Sequence, residues 1–246
     1  FEAAVAGGIP VIRSLVEGLS ANSISQLAGI INGTCNYIIS EMAERGRSYN
    51  DALADAQRLG YAEADPTFDV EGIDAAQKLT ILAALAFGIP YDARSCFNQG
   101  ISGLAVEDIR YAKELGYQIK HLGLASQTAR GIELRVHPVL VAESHLLSQV
   151  NGVMNAVYIN GDAVGSTLYY GAGAGGDATA SAVLSDVISL ACNQQVNYLA
   201  NRQSTSGSVS YIDISETENA YYLRINVTNK AGALAQITNC LGEQAI

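Results

Sequence analysis

Residues 60–87, GYAEADPTFDVEGIDAAQKLTILAALAF, decide how the rest of the chain is read. The first half packs Glu63, Asp65, Asp69 and Asp74 into and just beyond a turn marked by Pro66. Residues 70–87 are helix formers and apolar on nearly every face, which predicts a buried helix of the core. Asp74 and Lys78 stand four apart, so they share one face about a turn from each other. The same stripe continues through Ile81 and Leu85, which sets the pair at the polar mouth of a buried stripe. An ordinary ion pair near a helix start has the same spacing and contributes little. The apolar continuation and the acids just upstream put a functional cluster on an equal footing with that ordinary ion pair.

Composition limits the alternatives. A chain of 246 residues can build one large or two modest domains with a real core. Hydrophobic residues at 49% against 15% charged mark a folded chain rather than a disordered one. The formal charge of -10 argues against a nucleic-acid backbone or an anionic membrane as partner. No apolar run approaches the ~20 residues that span a bilayer. Cys35, Cys96, Cys192 and Cys240 are far apart with no CxxC, so they read as reduced thiols of a cytoplasmic protein.

Upstream, FEAAVAGGIP (residues 1–10) is a small-residue loop with a tight turn at Gly7 and Gly8, and Pro10 is placed to open a helix running to about Ser20. Glu2 followed by exposed carbonyls is a weak signal for a hard monovalent cation, beside the plainer reading of a glycine turn. Residues 24–31 predict a strand ending at Asn32-Gly33-Thr34. TCNYIISEMAERG then reads as an amphipathic helix with Thr34 near its start and Gly46 as its stop. A strand, a glycine turn and a helix start together offer backbone N–H groups to a ligand. A further helix, DALADAQRLG, delivers the acidic loop.

Downstream, residues 106–115 predict a helix, after which the period changes to two. YQIKHLGLAS, GIELRVHPVL, NAVYINGD and VGSTLYYG predict strands of an antiparallel meander. His121, His137 and His145 have no partners at metal-ligand spacing and read as structural or surface residues. GAGAGG (residues 171–176) fits GxGxxG between a strand and a helix, yet no acidic ribose-binding strand follows about 20 residues on. A stand-alone nucleotide binder is therefore weakly supported. Close backbone approach to something, such as one end of a cofactor held elsewhere, is better supported. Residues 193–210 look linker-like, and residues 221–246 predict a strand, a turn and an amphipathic helix.

The assembled residues resemble the homoserine dehydrogenase family over residues 1–191. The most specific block is residues 56–78, where AxxxGYxExDPxxDxxGxDxxxK is present without a gap. FEAAVAGGIPVI, GIINGTCNYI, GIELRVHP and GDAVGSTLYYGAGAGGDATASAVLSD support it. The tail from about residue 220 resembles the opening of an ACT module, an amino-acid-sensing domain. The resemblance implies an α+β fold, a largely antiparallel sheet covered by helices, with a truncated ACT-like βα segment. It divides the chain into a catalytic and dimerisation domain (1–170), a glycine loop and helix returning to a nucleotide-binding domain missing from this chain (171–195), a linker (196–219) and a partial regulatory domain (220–246).

The implied activity is NAD(P)-dependent interconversion of L-aspartate 4-semialdehyde and L-homoserine, in the biosynthesis of threonine, methionine and isoleucine. The isolated fragment is expected to be inactive. Carried over by position, Lys78 is the implied proton donor and Asp74 the acid that orients it. Glu63, Asp69, Gly60, Tyr61 and Thr34 are implied to bind substrate. Gly173 and Gly175 are implied to contact NADP or NAD, and Glu2 with the carbonyls of Val5, Gly7 and Ile9 to hold Na+ or K+. A homodimer or tetramer and threonine as effector are further implications. The competing reading is a non-catalytic, dimerising fragment that senses an amino acid. An aldehyde carbonyl gains negative charge as it is reduced, so a nearby cation that can release a proton suits this chemistry.

Overall fold

The structure is a computed structural model that describes residues 1–192 and 209–244. Its scaffold is a six-stranded sheet: β1 (Ile24–Ile30), β2 (Phe97–Asn98), β3 (Tyr117–Thr128), β4 (Gly131–Ala142), β5 (Met154–Gly161) and β6 (Gly165–Ala172). The spatial order is β2-β4-β3-β1-β5-β6, with every pairing antiparallel except β2 with β4. The expected simple meander is thereby corrected. β3–β4 and β5–β6 are hairpins, but β1 from far upstream separates them. The two-residue β2 was not foreseen, because two residues carry no readable period.

Eight α-helices are found among the described residues: α1 (Val11–Arg13), α2 (Gly33–Arg45), α3 (Tyr49–Arg58), α4 (Thr67–Val70), α5 (Ile73–Phe87), α6 (Val106–Glu114), α7 (Gly176–Ala191) and α8 (Ala233–Glu243). Pro10 precedes α1, which continues as a π-helical turn only to Gly18. Asn32 caps α2 by accepting the Cys35 N–H, and Gly46 ends it at φ 62. Ser48 caps α3 through the Asp51 N–H.

The helix expected over residues 70–87 is broken. α4 stops at Val70, Gly72 takes φ 80, and α5 starts at Ile73. The break is stabilised from outside: the Val70 carbonyl accepts the Ile101 N–H, and the Glu71 carbonyl accepts from Asn98 Nδ2. Those donors come from a distant segment, which no local pattern discloses. His121 packs its ring against Gly72, and its Nε2 bonds the Gln99 carbonyl, so it acts structurally as expected.

One face of the sheet meets α5 and the α1 segment: Leu79, Leu82 and Leu85 pack with Leu27, Val136, Val157 and Ile159. A second cluster joins α2, α3 and α6 around Ile38, Met42, Ala56 and Ile109. On the opposite face Leu122, Val141 and Ala156 meet Leu147 and Val150, while Leu124, Val139, Tyr158 and Leu168 remain half-covered.

The linker expectation for residues 196–219 falls largely outside the described residues. The strand expected at residues 221–227 is not present. Those residues pair with no strand among the described residues, and a strand needs a ladder partner to satisfy its backbone. They are anchored through side chains instead, Arg224 and Tyr222 on Asp108 of α6. The helix expected after them is α8.

Candidate active site

Three chain segments meet at the end of β1. The backbone leaves β1 at Ile30 and turns at Asn32 into α2, while α4 and α5 flank that turn with the acidic loop. Lys78 Nζ lies 2.7 Å from Asp74 Oδ2 and 3.4 Å from the Ile31 carbonyl oxygen. Their side chains are 26% and 18% exposed, so the pair sits at a rim, open to a small molecule yet not immersed in solvent.

Asn32 is the residue that sequence reasoning missed. Its Nδ2 donates to Asp69 Oδ1 at 2.8 Å and to Asp74 Oδ2 at 2.9 Å, while its Oδ1 caps α2. One amide thus ties together the helix start, both acids and, through Asp74, the lysine. The Asn-Gly pair was visible but read as turn chemistry; only the tertiary fold brings two carboxylates to that amide. Thr34 donates to the Tyr61 carbonyl at 2.6 Å and its Oγ1 lies 3.5 Å from Asp69 Oδ2, so it joins the cluster. Cys35 Sγ lies 3.2 Å from the Asp69 carbonyl, and burial pushes its thiol well above the usual range, with Asp69 and Asp74 adding to the rise. It is an inert wall of the site.

Gly60 turns the chain at φ 76 after α3, and Tyr61 lies half-exposed with its ring 5.0 Å from that of Tyr37. Glu63 is not gathered in. Its side chain is exposed and makes no hydrogen bond or ion pair to the cluster among the described residues, although its carbonyl accepts from Gln57.

The two glycine-rich stretches pack on each other. Gly8 N–H donates to the Ala172 carbonyl, and a Cβ on Gly7 would meet the Gly173 oxygen at 2.4 Å. A Cβ on Gly173 would strike the Asn155 side chain at 2.0 Å, so this glycine is explained by packing. Gly175 differs: it has φ 116 at the start of α7, with open space where a side chain would project. That accessible helix start fits close approach of an anionic or amide-bearing group of a nucleotide.

Glu2 is 2% exposed, and both its oxygens accept N–H groups of α1, from Ile12 at 2.8 Å and Arg13 at 3.0 Å. Burial raises its pKa, opposed by those hydrogen bonds and by Arg13. Val5 and Ile9 are buried beside it, Gly7 has φ 40, and the Ile9 carbonyl accepts the Val11 N–H. A carboxylate and backbone carbonyls are the donor types that suit a hard monovalent cation.

Solved structures and curated proteins match this chain in sequence and fold. A homoserine dehydrogenase from Thiobacillus denitrificans superposes with a TM-score of 0.82 at 50% identity, over 99% of this chain and 57% of that one. A hyperthermophilic archaeal homoserine dehydrogenase in complex with NADPH aligns over 78% of this chain and 55% of its own, with a TM-score of 0.66 at 27% identity. The homoserine dehydrogenase of Pseudomonas aeruginosa is 56% identical over 100% of this chain, which spans 58% of that relative's length. The family model for homoserine dehydrogenase matches residues 10–188, and the chain belongs to that family.

Proposed function

We propose that this chain supplies the substrate half of an enzyme that interconverts L-aspartate 4-semialdehyde and L-homoserine. The observation that carries the reading is the Lys78–Asp74–Asn32–Asp69 cluster at the half-open rim of the core. Reduced nicotinamide supplies a hydride to the aldehyde carbon when the dinucleotide is bound. Lys78 then gives a proton from Nζ to the carbonyl oxygen, and Asp74 holds that ammonium in place. In the reverse direction the neutral amine takes the hydroxyl proton. Asp69 offers a carboxylate to the substrate's ammonium group, and such a charge-assisted bond contributes on the order of 1.5–3 kcal/mol. Glu63, exposed on the same loop, is the second carboxylate proposed for the substrate's polar groups.

NADPH or NADH would meet this chain at Gly175. The family relative in complex with NADPH supports the cofactor class. Na+ or K+ would be held by the carbonyls of Val5, Gly7 and Ile9 with Glu2, where it would fix the loop that packs on Gly173. Along α7, Val183, Leu184, Val187 and Ile188 are exposed, an apolar face that suits cover by the nucleotide-binding domain. The half-covered sheet face around Leu124, Val139 and Leu168 suits a homodimer interface, and threonine remains the effector candidate for the tail. Among the described residues no helix is long and apolar enough to cross a membrane, and all four cysteines are free, consistent with a cytoplasmic enzyme.

The test is Lys78→Ala in the complete protein. Turnover of homoserine is expected to fall by roughly 10²–10⁴-fold with nicotinamide-nucleotide affinity little changed. Near-normal turnover would remove Lys78 from the chemistry.

A further inference from the structure

A cavity of about 310 Å³ opens between α2, α6 and the first residues of β3, near the lower limit of small-molecule sites. It is separate from the cluster around Lys78. Thr34 stands at the start of α2 and Glu44 at its end, ten residues or roughly 15 Å along the axis. Ile39, Ile109 and Ile119 give the cavity an apolar wall, and Glu44, Lys113 and Lys120 give it charge.

Lys120 is the unusual member. It is 1% exposed, and among the described residues its Nζ donates only to neutral oxygens, the Val150 carbonyl at 2.6 Å and Asn151 Oδ1 at 2.7 Å. No carboxylate reaches ion-pair distance among the described residues; Glu44 acts on it only through space. An ammonium carries three N–H groups, and two are used. A buried cation without a counter-ion is costly. Here that residue lines an open cavity to which Lys113 brings a second ammonium.

We propose that this cavity is a second ligand site whose occupant is an α-amino dicarboxylate. Two ammonium groups and one carboxylate on the protein complement two carboxylates and one ammonium on the ligand. One ligand carboxylate faces Lys120, the other faces Lys113, and the ligand ammonium faces Glu44. The methylene segment between them lies on the isoleucine wall. The site does not depend on the reaction assigned to Lys78.

Calorimetric titration of the complete protein with L-aspartate and L-glutamate tests this, with succinate and L-alanine as probes lacking the ammonium or the second carboxylate. At least one amino dicarboxylate should bind saturably, and both comparison probes about tenfold more weakly or worse. Lys113→Ala and Glu44→Gln, both at exposed helical positions, should each weaken binding about tenfold or more. They carry the test because Lys120→Met can fail to fold. Binding should persist in Lys78→Ala, which separates this site from the substrate cleft. Absence of saturable binding up to about 10 mM overturns the proposal. So does binding that ignores Lys113→Ala and Glu44→Gln, or that is lost with Lys78→Ala.

Discussion

Lys78 and Lys120 are the same residue type at two edges of one hydrophobic interior, and their surroundings differ in partner and in exposure. Lys78 has a carboxylate at 2.7 Å and a quarter of its side chain open. Lys120 is 1% exposed where it lines its cavity, with two neutral oxygens as its only hydrogen-bond partners among the described residues. A cation paired at a rim can meet a substrate without first being uncovered. A cation buried among neutral oxygens loses hydration that hydrogen bonds only partly replace. Burial accordingly pushes Lys120 down to about 8, with Glu44 opposing from a distance. Partner supply and depth together separate a paired lysine from a strained one.

The contrast breaks first at Lys78. Lys78→Met should abolish nearly all turnover, a loss of roughly 10²–10⁴-fold in kcat, while thermal stability stays close to that of the parent. Retained turnover would make the pair merely an ion pair.

Lys120 supplies the next largest effect. Its folded value of about 8 lies below the 10.5 of the free side chain, so between these values the unfolded chain binds a proton that the native chain has released. The penalty is fully present below pH 8 and is relieved as pH rises to 10.5. Relative to Lys120→Met, the protein should gain about 3 kcal/mol of stability across that window. Denaturant titrations at several pH values measure this difference, and a flat difference would mean that Lys120 is not desolvated.

Asn32 sharpens the comparison by testing what keeps Lys78 paired. Asn32→Ala deletes a helix cap and leaves Asp69 and Asp74 without their shared donor. Stability should fall by about 1–2 kcal/mol. KM for homoserine should rise as the acids lose their alignment, a change that steady-state kinetics will detect. An unaltered KM would make the amide a cap alone.

The smallest effect concerns a charge that is held by its partner despite burial. Burial works to raise the Asp108 carboxyl, but hydrogen bonds from Arg224, the Ala105 N–H and Tyr222 hold it below its ordinary value. The Arg224 contact is two-pronged, at 2.5 and 3.1 Å. Asp108→Asn should cost about 1 kcal/mol or less and speed amide exchange in residues 220–227. Exchange unchanged in that segment would show that something other than Asp108 anchors it.

Much of this architecture is legible in the residues. Gly46, Ser48 and Gly88 delimit helices because a left-handed stop or a side-chain cap is a local event. The Asp74–Lys78 spacing points to one face for the same reason. Glu63 shows where local reading ends: its position in the acidic loop is plain, but a loop does not fix which of its acids turn inward. Gly173 shows it again, since its glycine answers to Asn155 and Gly7, both remote in sequence.

By itself the sequence determined most element types, many of their limits and the lysine–acid pair, because helix periodicity and capping act over four or five residues. Only the tertiary structure decided that β1 would lie between β3 and β5, and that distant backbone donors would break the helix ahead of Ile73. It alone decided that Asn32 would bridge two acids, and that Lys120 would be enclosed without a counter-ion. Those outcomes depend on hydrogen bonds and desolvation between segments tens of residues apart, and such partners exist only once the chain has closed on itself.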